Sequence, residues 1–236
     1  MIACEDTRHS GLLLSNLQAR GRKISFHQHN TRTRLPQLLE LLAEGNSLAV
    51  ISDAGLPGIS DPGEELSAAA RSAGFPVICI PGPCAATTAL VCSGLPSARF
   101  CFEGFLPVKG RERKTRLEAI AAEQRTSVLY EAPHRLITLL EELEQLCGAD
   151  RPLQVARELT KRHEQQVGPT IAAALEHFGM HRPQGEFTLV LGGCPAEAEI
   201  ELDDATLLDR MNTAMQTGTS ASSAARQLAS ETGISR

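Results

Sequence analysis

The sequence predicts an α/β protein: two α/β domains joined by a short linker, followed by a small C-terminal extension. Three observations predict it. Apolar β-branched runs alternate with stretches of helical Leu and Ala spacing. The turns between them are rich in Gly and Pro, as short strand–helix connections require. Finally, Gly94-Leu95-Pro96-Ser97 reads as a linker that divides the series into two sets. A chain of 236 residues can bury a core in each.

The elements follow in order. Lys23–His27 is a short strand, and Leu35–Ala43 is a helix with Pro36 tolerated in its first turn. Ser47–Ser52 is a continuous apolar strand. A helix then opens at Asp61-Pro62 and closes at Gly74. Phe75–Ile80 reads as another buried strand, and Cys84–Ser93 as a small-residue helix. This order predicts a parallel sheet with crossover helices. In the second set, Phe100–Phe105 and Ser127–Tyr130 are strands around an Arg-rich helix, Arg111–Gln124. His134–Cys147 is an amphipathic helix, Leu153–Leu159 a strand, Ala172–Phe178 a helix and Glu186–Leu191 a last apolar strand. The expected domains are residues 1–95, 96–193 and 194–236. The last holds an acidic connector (Glu197, Glu199, Glu201, Asp203, Asp204 and Asp209), then a helix over Ser220–Ser230 ended by Thr232-Gly233. That helix and turn read equally as half of a helix-turn-helix or as a frayed end.

Composition narrows the function. Aromatics make up 3% of residues, with no Trp and one Tyr, which argues against a base- or sugar-stacking surface. The formal net charge of −5 gives no global attraction to nucleic acid. The seven Cys form no CxxC pair and no metal-ligand spacing with His, a pattern of reduced thiols. Cys79 and Cys92 lie in apolar runs and read as core residues. The opening residues lack a signal-peptide core and no run of about 18 apolar residues exists. A cytoplasmic protein without a membrane contact is expected. Neither a GxGxxG, a Walker A nor a GxSxG motif is present, and His163-Glu164-Gln165-Gln166-Val167 lacks the second His of a zinc helix.

Two turns carry the chemistry. Ser52-Asp53-Ala54-Gly55-Leu56-Pro57-Gly58-Ile59-Ser60-Asp61-Pro62-Gly63 begins where a strand ends and stops where a helix begins, the edge at which open parallel sheets bind ligands. Its glycines let backbone approach a ligand, and its prolines fix the path. Asp61 is equally placed as a helix N-cap. Pro81-Gly82-Pro83-Cys84-Ala85-Ala86 repeats the arrangement with small side chains that leave room for a flat ring, or for close helix packing.

These stretches resemble one family. Ala3-Cys4-Glu5-Asp6-Thr7-Arg8-His9-Ser10, Ser52–Gly63, Pro81–Ala85, Gly104-Phe105-Leu106-Pro107 and Tyr130-Glu131-Ala132-Pro133-His134-Arg135 carry the resemblance. So do Ala156-Arg157-Glu158-Leu159-Thr160-Lys161 and Gly185-Glu186-Phe187-Thr188-Leu189-Val190. Together they are similar to the ribosomal RNA small subunit methyltransferase I family of the tetrapyrrole methylase superfamily, over residues 1 to about 193. The resemblance implies a class III methyltransferase fold with S-adenosylmethionine in the cleft between two αβα domains, and a homodimer. It implies 2′-O-methylation of a cytidine in the decoding region of 16S rRNA, on the RNA or the small subunit. Cofactor contacts are implied at Asp53, Ala54, Gly55, Ile59, Ser60, Cys84 and Ala85, at Tyr130, Glu131 and Ala132, and at Glu186, Phe187 and Thr188. Cys84 stands where Ser or Thr is more usual. The resemblance also implies a preceding strand and a loop of the type Thr-Pro-Ile-Gly-Asn-Leu, so the chain reads as starting after them and stopping inside the terminal helix-turn-helix.

The charge map points to RNA independently. From Thr7 to Leu39 there is no Asp or Glu, while Arg8, Arg20, Arg22, Lys23, Arg32 and Arg34 are present with His9, His27 and His29. Lys109, Arg111, Arg113, Lys114 and Arg116 form a second cluster. Such clusters neutralise phosphates in a chain that is acidic overall. Arg135 and Lys161 join the expected RNA contacts from the second domain. Moving a methyl to a ribose hydroxyl requires in-line placement and removal of the hydroxyl proton. Glu5, Asp6, Arg8 and His9, at an expected strand end, are the candidates. His134, Arg135, Arg157, Glu158 and Lys161 are the rivals. Two other readings stay open: a methylase of a porphyrinoid-type small molecule, and a catalytically silent RNA-binding module.

Overall fold

The computed structural model describes residues 1–195 and 204–232. Glu197, Glu199, Glu201 and Asp203 of the expected connector, and the turn at Gly233, lie outside the described residues. The chain divides into two compact units, Met1–Gly193 and Cys194–Arg236.

The larger unit is built on two sheets. The first is three-stranded and wholly parallel, formed by β1 (Ile2–Cys4), β2 (Lys23–Ser25) and β3 (Ala49–Ile51) in the order β2-β1-β3. Helix α1 (Thr7–Asn16) joins β1 to β2, and α2 (Thr31–Ala43) joins β2 to β3. The two crossovers run in opposite directions along the sheet, so right-handed connections set α1 and α2 on opposite faces. Ala3, Phe26, Leu38 and Leu66 form the buried core here, the last from α3 (Glu64–Ser72).

Phe75–Ile80 departs from the expected buried strand. It pairs with no strand among the described residues, and Ile78 and Ile80 are 80% and 78% exposed. β-propensity alone does not make a strand, because the conformation needs a ladder partner. Cys79 is exposed with it, as is Cys92 on the outer side of α4 (Ala85–Ser93), so neither is a core residue.

The second sheet is mixed rather than parallel. β4 (Phe100–Phe105) runs parallel to β5 (Thr126–Glu131), and β8 (Phe187–Leu191), β6 (Leu153–Arg157) and β7 (Gln165–Val167) complete the order β4-β5-β8-β6-β7 with antiparallel pairings. Strand alternation sorts its side chains. Leu129, Leu153, Val155, Leu189 and Leu191 face a core shared with α5 (Arg111–Ala122), α6 (Leu136–Cys147) and α7 (Ile171–Met180). Val128, Ala156 and Val190 face the other way, onto Ala86, Ala89 and Leu90 of α4. The third layer of this half is therefore a helix that precedes residue 95.

The smaller unit contains α8 (Asp204–Gln216) and α9 (Ala221–Thr232), which pack together around the buried Ala224. Ser220 starts α9 by accepting the Ser223 N–H on its hydroxyl. Among the described residues, no helix is long and apolar enough to cross a membrane.

Candidate active site

The carboxyl edge of the parallel sheet is where the candidate residues collect. Glu5 is the first residue beyond β1, Asp53 follows β3 by two, and His27 comes just after Phe26, whose N–H still donates to the Cys4 carbonyl. His9 Nδ1 stands 3.8 Å from an Asp53 carboxylate oxygen. Burial, and then the negative charges of Asp61 and Asp53, raise the Glu5 pKa; His27 opposes this and Glu186 of the second half adds to it. Glu186 is thus close enough for its charge to be felt at Glu5 across the cleft.

Asp6 and Arg8 have another occupation. The Asp6 side chain accepts the Arg8 N–H at 2.7 Å as the N-cap of α1, and the Arg8 guanidinium closes back on it at 2.8 Å. Those bonds hold the Asp6 carboxyl far below the usual carboxylate range. Asp6 is a poor proton acceptor in consequence.

The 52–63 loop is braced internally. Asp61 accepts a hydrogen bond from the Ser52 hydroxyl, which itself accepts the Ala54 N–H at 3.0 Å. Asp61 is therefore a loop brace and not a helix cap, and α3 begins only at Glu64. Gly55 adopts φ +88, and a Cβ there would sit 3.2 Å from the Pro83 carbonyl oxygen, so the two expected turns meet backbone to backbone. On its other side the loop touches the second half. A Cβ on Gly104 (φ +59) would lie 2.9 Å from Ser60 Oγ, and β4 shifts register between Phe102 and Gly104 at this point.

The second half closes the cleft through strand register. Antiparallel pairing of β5 with β8 sets Tyr130 opposite Thr188 and Glu131 opposite Phe187, uniting two motifs far apart in sequence. The Tyr130 hydroxyl accepts the Ala86 N–H at the start of α4 at 3.1 Å, and its ring meets Phe102 and Phe105 at 5.1 and 5.5 Å. Burial, with Cys84 beside it, pushes the phenol up to about 12. Cys84 holds the N-cap position of α4 without a side-chain bond to the helix.

Several expected contacts are restricted by burial. Glu131 is fully buried in an ion pair with Arg135 and also accepts the Ala132 N–H, and Phe187 is packed edge-on against Phe178. Glu131 and Phe187 can present only backbone to the cleft. Two residues also leave the expected RNA set. Arg113 is buried, with its guanidinium on Glu142 and the Pro107 carbonyl, and Arg135 is held by Glu131 and the Leu106 carbonyl. Helix periodicity turns position 113 inward, while Arg111 stays exposed. Lys114 and Lys161 are exposed but paired with Glu118 and Glu158. Arg20, Arg22, Lys23, Arg32, Arg34, Lys109 and Arg111 make no ion pair among the described residues.

The arrangement brings two glycine- and proline-rich turns together at the sheet edge, with Tyr130, Phe102 and Phe105 beside the second of them. A family model described as Tetrapyrrole (Corrin/Porphyrin) Methylases matches residues 1–175. A ribosomal RNA small subunit methyltransferase I from Synechocystis sp. is 47% identical over 236 residues, spanning all of this chain and 85% of that relative. The chain belongs to that methyltransferase family. The Escherichia coli O157:H7 member is 45% identical over 203 residues, 84% of this chain and 70% of its own. Among solved structures, the methyltransferase CobJ aligns with TM-score 0.58 at 19% identity, covering 83% of this chain and 94% of its own. A Thermus thermophilus uroporphyrin-III C-methyltransferase complexed with S-adenosyl homocysteine aligns at 0.53 and 21% identity, over 81% of this chain and 84% of its own. At such identities the likeness shows the tetrapyrrole methylase fold. Sequence reasoning assigned no role to Ser52, Phe102 or Gly104 of this methyltransferase, because the contacts that use them join segments distant in the chain.

Proposed function

We propose that this methyltransferase transfers a methyl group from S-adenosylmethionine to the ribose 2′-oxygen of a cytidine in the decoding region of 16S rRNA, in the cytoplasm and as a homodimer. The observation that supports it most is the meeting of the Gly55 and Pro83 backbones at the sheet edge where Glu5 and Asp53 also lie. The floor at Gly55 accepts no side chain, and Tyr130 with Phe102 and Phe105 supplies an aromatic wall, a fit for a flat nucleoside.

Asp53, Ala54, Gly55, Ile59 and Ser60 would hold the cofactor from one wall, and Cys84, Ala85, Tyr130, Ala132, Glu186 and Thr188 from the other. Glu131 and Phe187 would contribute main chain. When bound, the cofactor supplies an activated methyl on a sulfonium. The protein's own task is to bring the ribose oxygen into line and to take its proton. Glu5 is the acceptor: burial and its acidic neighbours make it more basic than an ordinary carboxylate, and a base tuned upward works nearer neutral pH. Its proton arrives as the ribose oxygen takes the methyl. His9, beside Asp53, orients the ribose, while the Asp6–Arg8 pair fixes the helix that carries His9. Unpaired cations on the first half and at Lys109 and Arg111 hold the phosphates.

The test transfers labelled methyl from S-adenosylmethionine to small subunits that lack the modification. Label appearing in 16S rRNA at one alkali-resistant cytidine is expected, because a 2′-O-methyl group blocks cleavage of its phosphodiester. Label on a base, or only on a porphyrinoid, would remove the proposal.

A further inference from the structure

A hydrogen-bonded strut runs from the last turn of α7 to the cleft, and the function above does not use it. Arg157 Nε donates to Gln165 Oε1 at 2.8 Å. Since a guanidinium can only donate, the amide orientation is fixed, and Gln165 presents its NH2 to His177 Nε2 at 3.0 Å. His177 Nε2 must then accept, which leaves its proton on Nδ1. At the far end, Arg157 Nη1 donates to the Gln184 carbonyl at 2.9 Å, two residues before Glu186. The His177 carbonyl also accepts both the N–H and the Nδ1–H of His181, and the two imidazoles stack at 4.4 Å. His177 therefore secures both ends of the turn that leads into β8.

We propose that His177 is a positioning residue: in its neutral form it holds Arg157 through Gln165 and so sets where Glu186 and the backbone of Phe187 stand against the cofactor. This rests on the cofactor reading above. Protonation of His177 would set an N–H against the NH2 of Gln165, donor against donor, and would add a cation near Arg157. The groups around the ring are few. His181 lies on the same helix end, β6 contributes Arg157, β7 contributes the neutral Gln165, and α6 packs on α7 within the apolar core. The strut thus makes cofactor affinity pH-sensitive from outside the cleft.

The test titrates S-adenosylhomocysteine calorimetrically into the full chain and its variants H177F and H177Q. Measurements are made at about pH 8 and about pH 5.5. Phe keeps a ring on His181 without an acceptor, and Gln restores an acceptor oxygen that does not titrate. Wild type is expected to lose about tenfold in affinity on acidification, equal to about 1.4 kcal/mol. H177F should bind weakly at both values and H177Q tightly at both. H177F binding like wild type, or H177Q keeping the wild-type pH dependence, would overturn the proposal. If H177F folds poorly, the H177Q profile decides alone. Hydrogen exchange over residues 181–187 without ligand, corrected for intrinsic rates, separates the two readings. If wild type binds no S-adenosylhomocysteine yet opens this turn on acidification while H177Q does not, the cofactor reading falls and the strut stands. If the turn exchanges alike in both proteins, the strut falls.

Discussion

Glu5 brings two opposing demands into one side chain. Its pKa is raised, so the folded state favours the neutral form, and ionisation above the unfolded pKa works against folding. Removing that charge relieves the repulsion from Asp61 and Asp53. Glu5→Gln is therefore expected to raise the melting temperature at neutral pH while slowing methyl transfer at least about a hundredfold, the scale of a lost general base. Single-turnover transfer and thermal melting on the same preparation check both halves. The acid limb of the transfer rate should lie above the ordinary carboxylate range, because the base works only when ionised. Asp6→Ala should lower stability in denaturant unfolding by removing the α1 cap, and leave that limb in place.

At the scale of elements, the close approach of two turns is the most demanding feature. Gly55→Ala places a Cβ against the Pro83 carbonyl at a positive φ. About 1–2 kcal/mol of stability should be lost in denaturant unfolding, with a larger proportional loss in S-adenosylhomocysteine affinity. The α5 cations divide by helix face. Arg113→Ala strands Glu142 and should destabilise by about 3 kcal/mol, whereas Arg111→Ala should leave stability within about 0.5 kcal/mol and weaken RNA binding. Melting curves and filter binding on the two variants separate these roles. Elements with sustained patterns were legible in the sequence: Phe100–Phe105 appears with the expected bounds, and Leu136–Cys147 differs only in its first turn. Others carried too little signal. β7 has three residues, Gln-Gln-Val, without alternation, and α8 lies in what reads as an acidic connector. Phe75–Ile80 shows the opposite failure, a strong strand pattern with no partner to pair it.

Across the whole molecule, a net charge of −5 coexists with two cation clusters, one within Thr7–Leu39 and one over Lys109–Arg116. Replacing Arg20, Arg22 and Lys23 together by Ala should lower the salt slope of RNA binding by about one for each phosphate that is no longer neutralised, without altering cofactor affinity. Binding isotherms at three salt concentrations check the slope. The candidate site was legible in its parts and not in its assembly. The motifs at Glu5, Ser52–Gly63 and Pro81–Ala85 could be read locally. That Ser60 meets Gly104, that Glu186 is felt at Glu5, and that Arg113 and Arg135 are already engaged depends on register and helix phase, which no single stretch encodes.

The placement of α4 has a practical consequence for dissecting the protein. A fragment beginning at residue 96 would leave Val128, Ala156 and Val190 bare to water and should aggregate, whereas one beginning near residue 81 would carry its own cover. The separable parts of this chain are thus drawn by what each sheet needs on its two sides, and a protease or a cloning junction at the Gly94–Ser97 stretch would cut between a sheet and its lining.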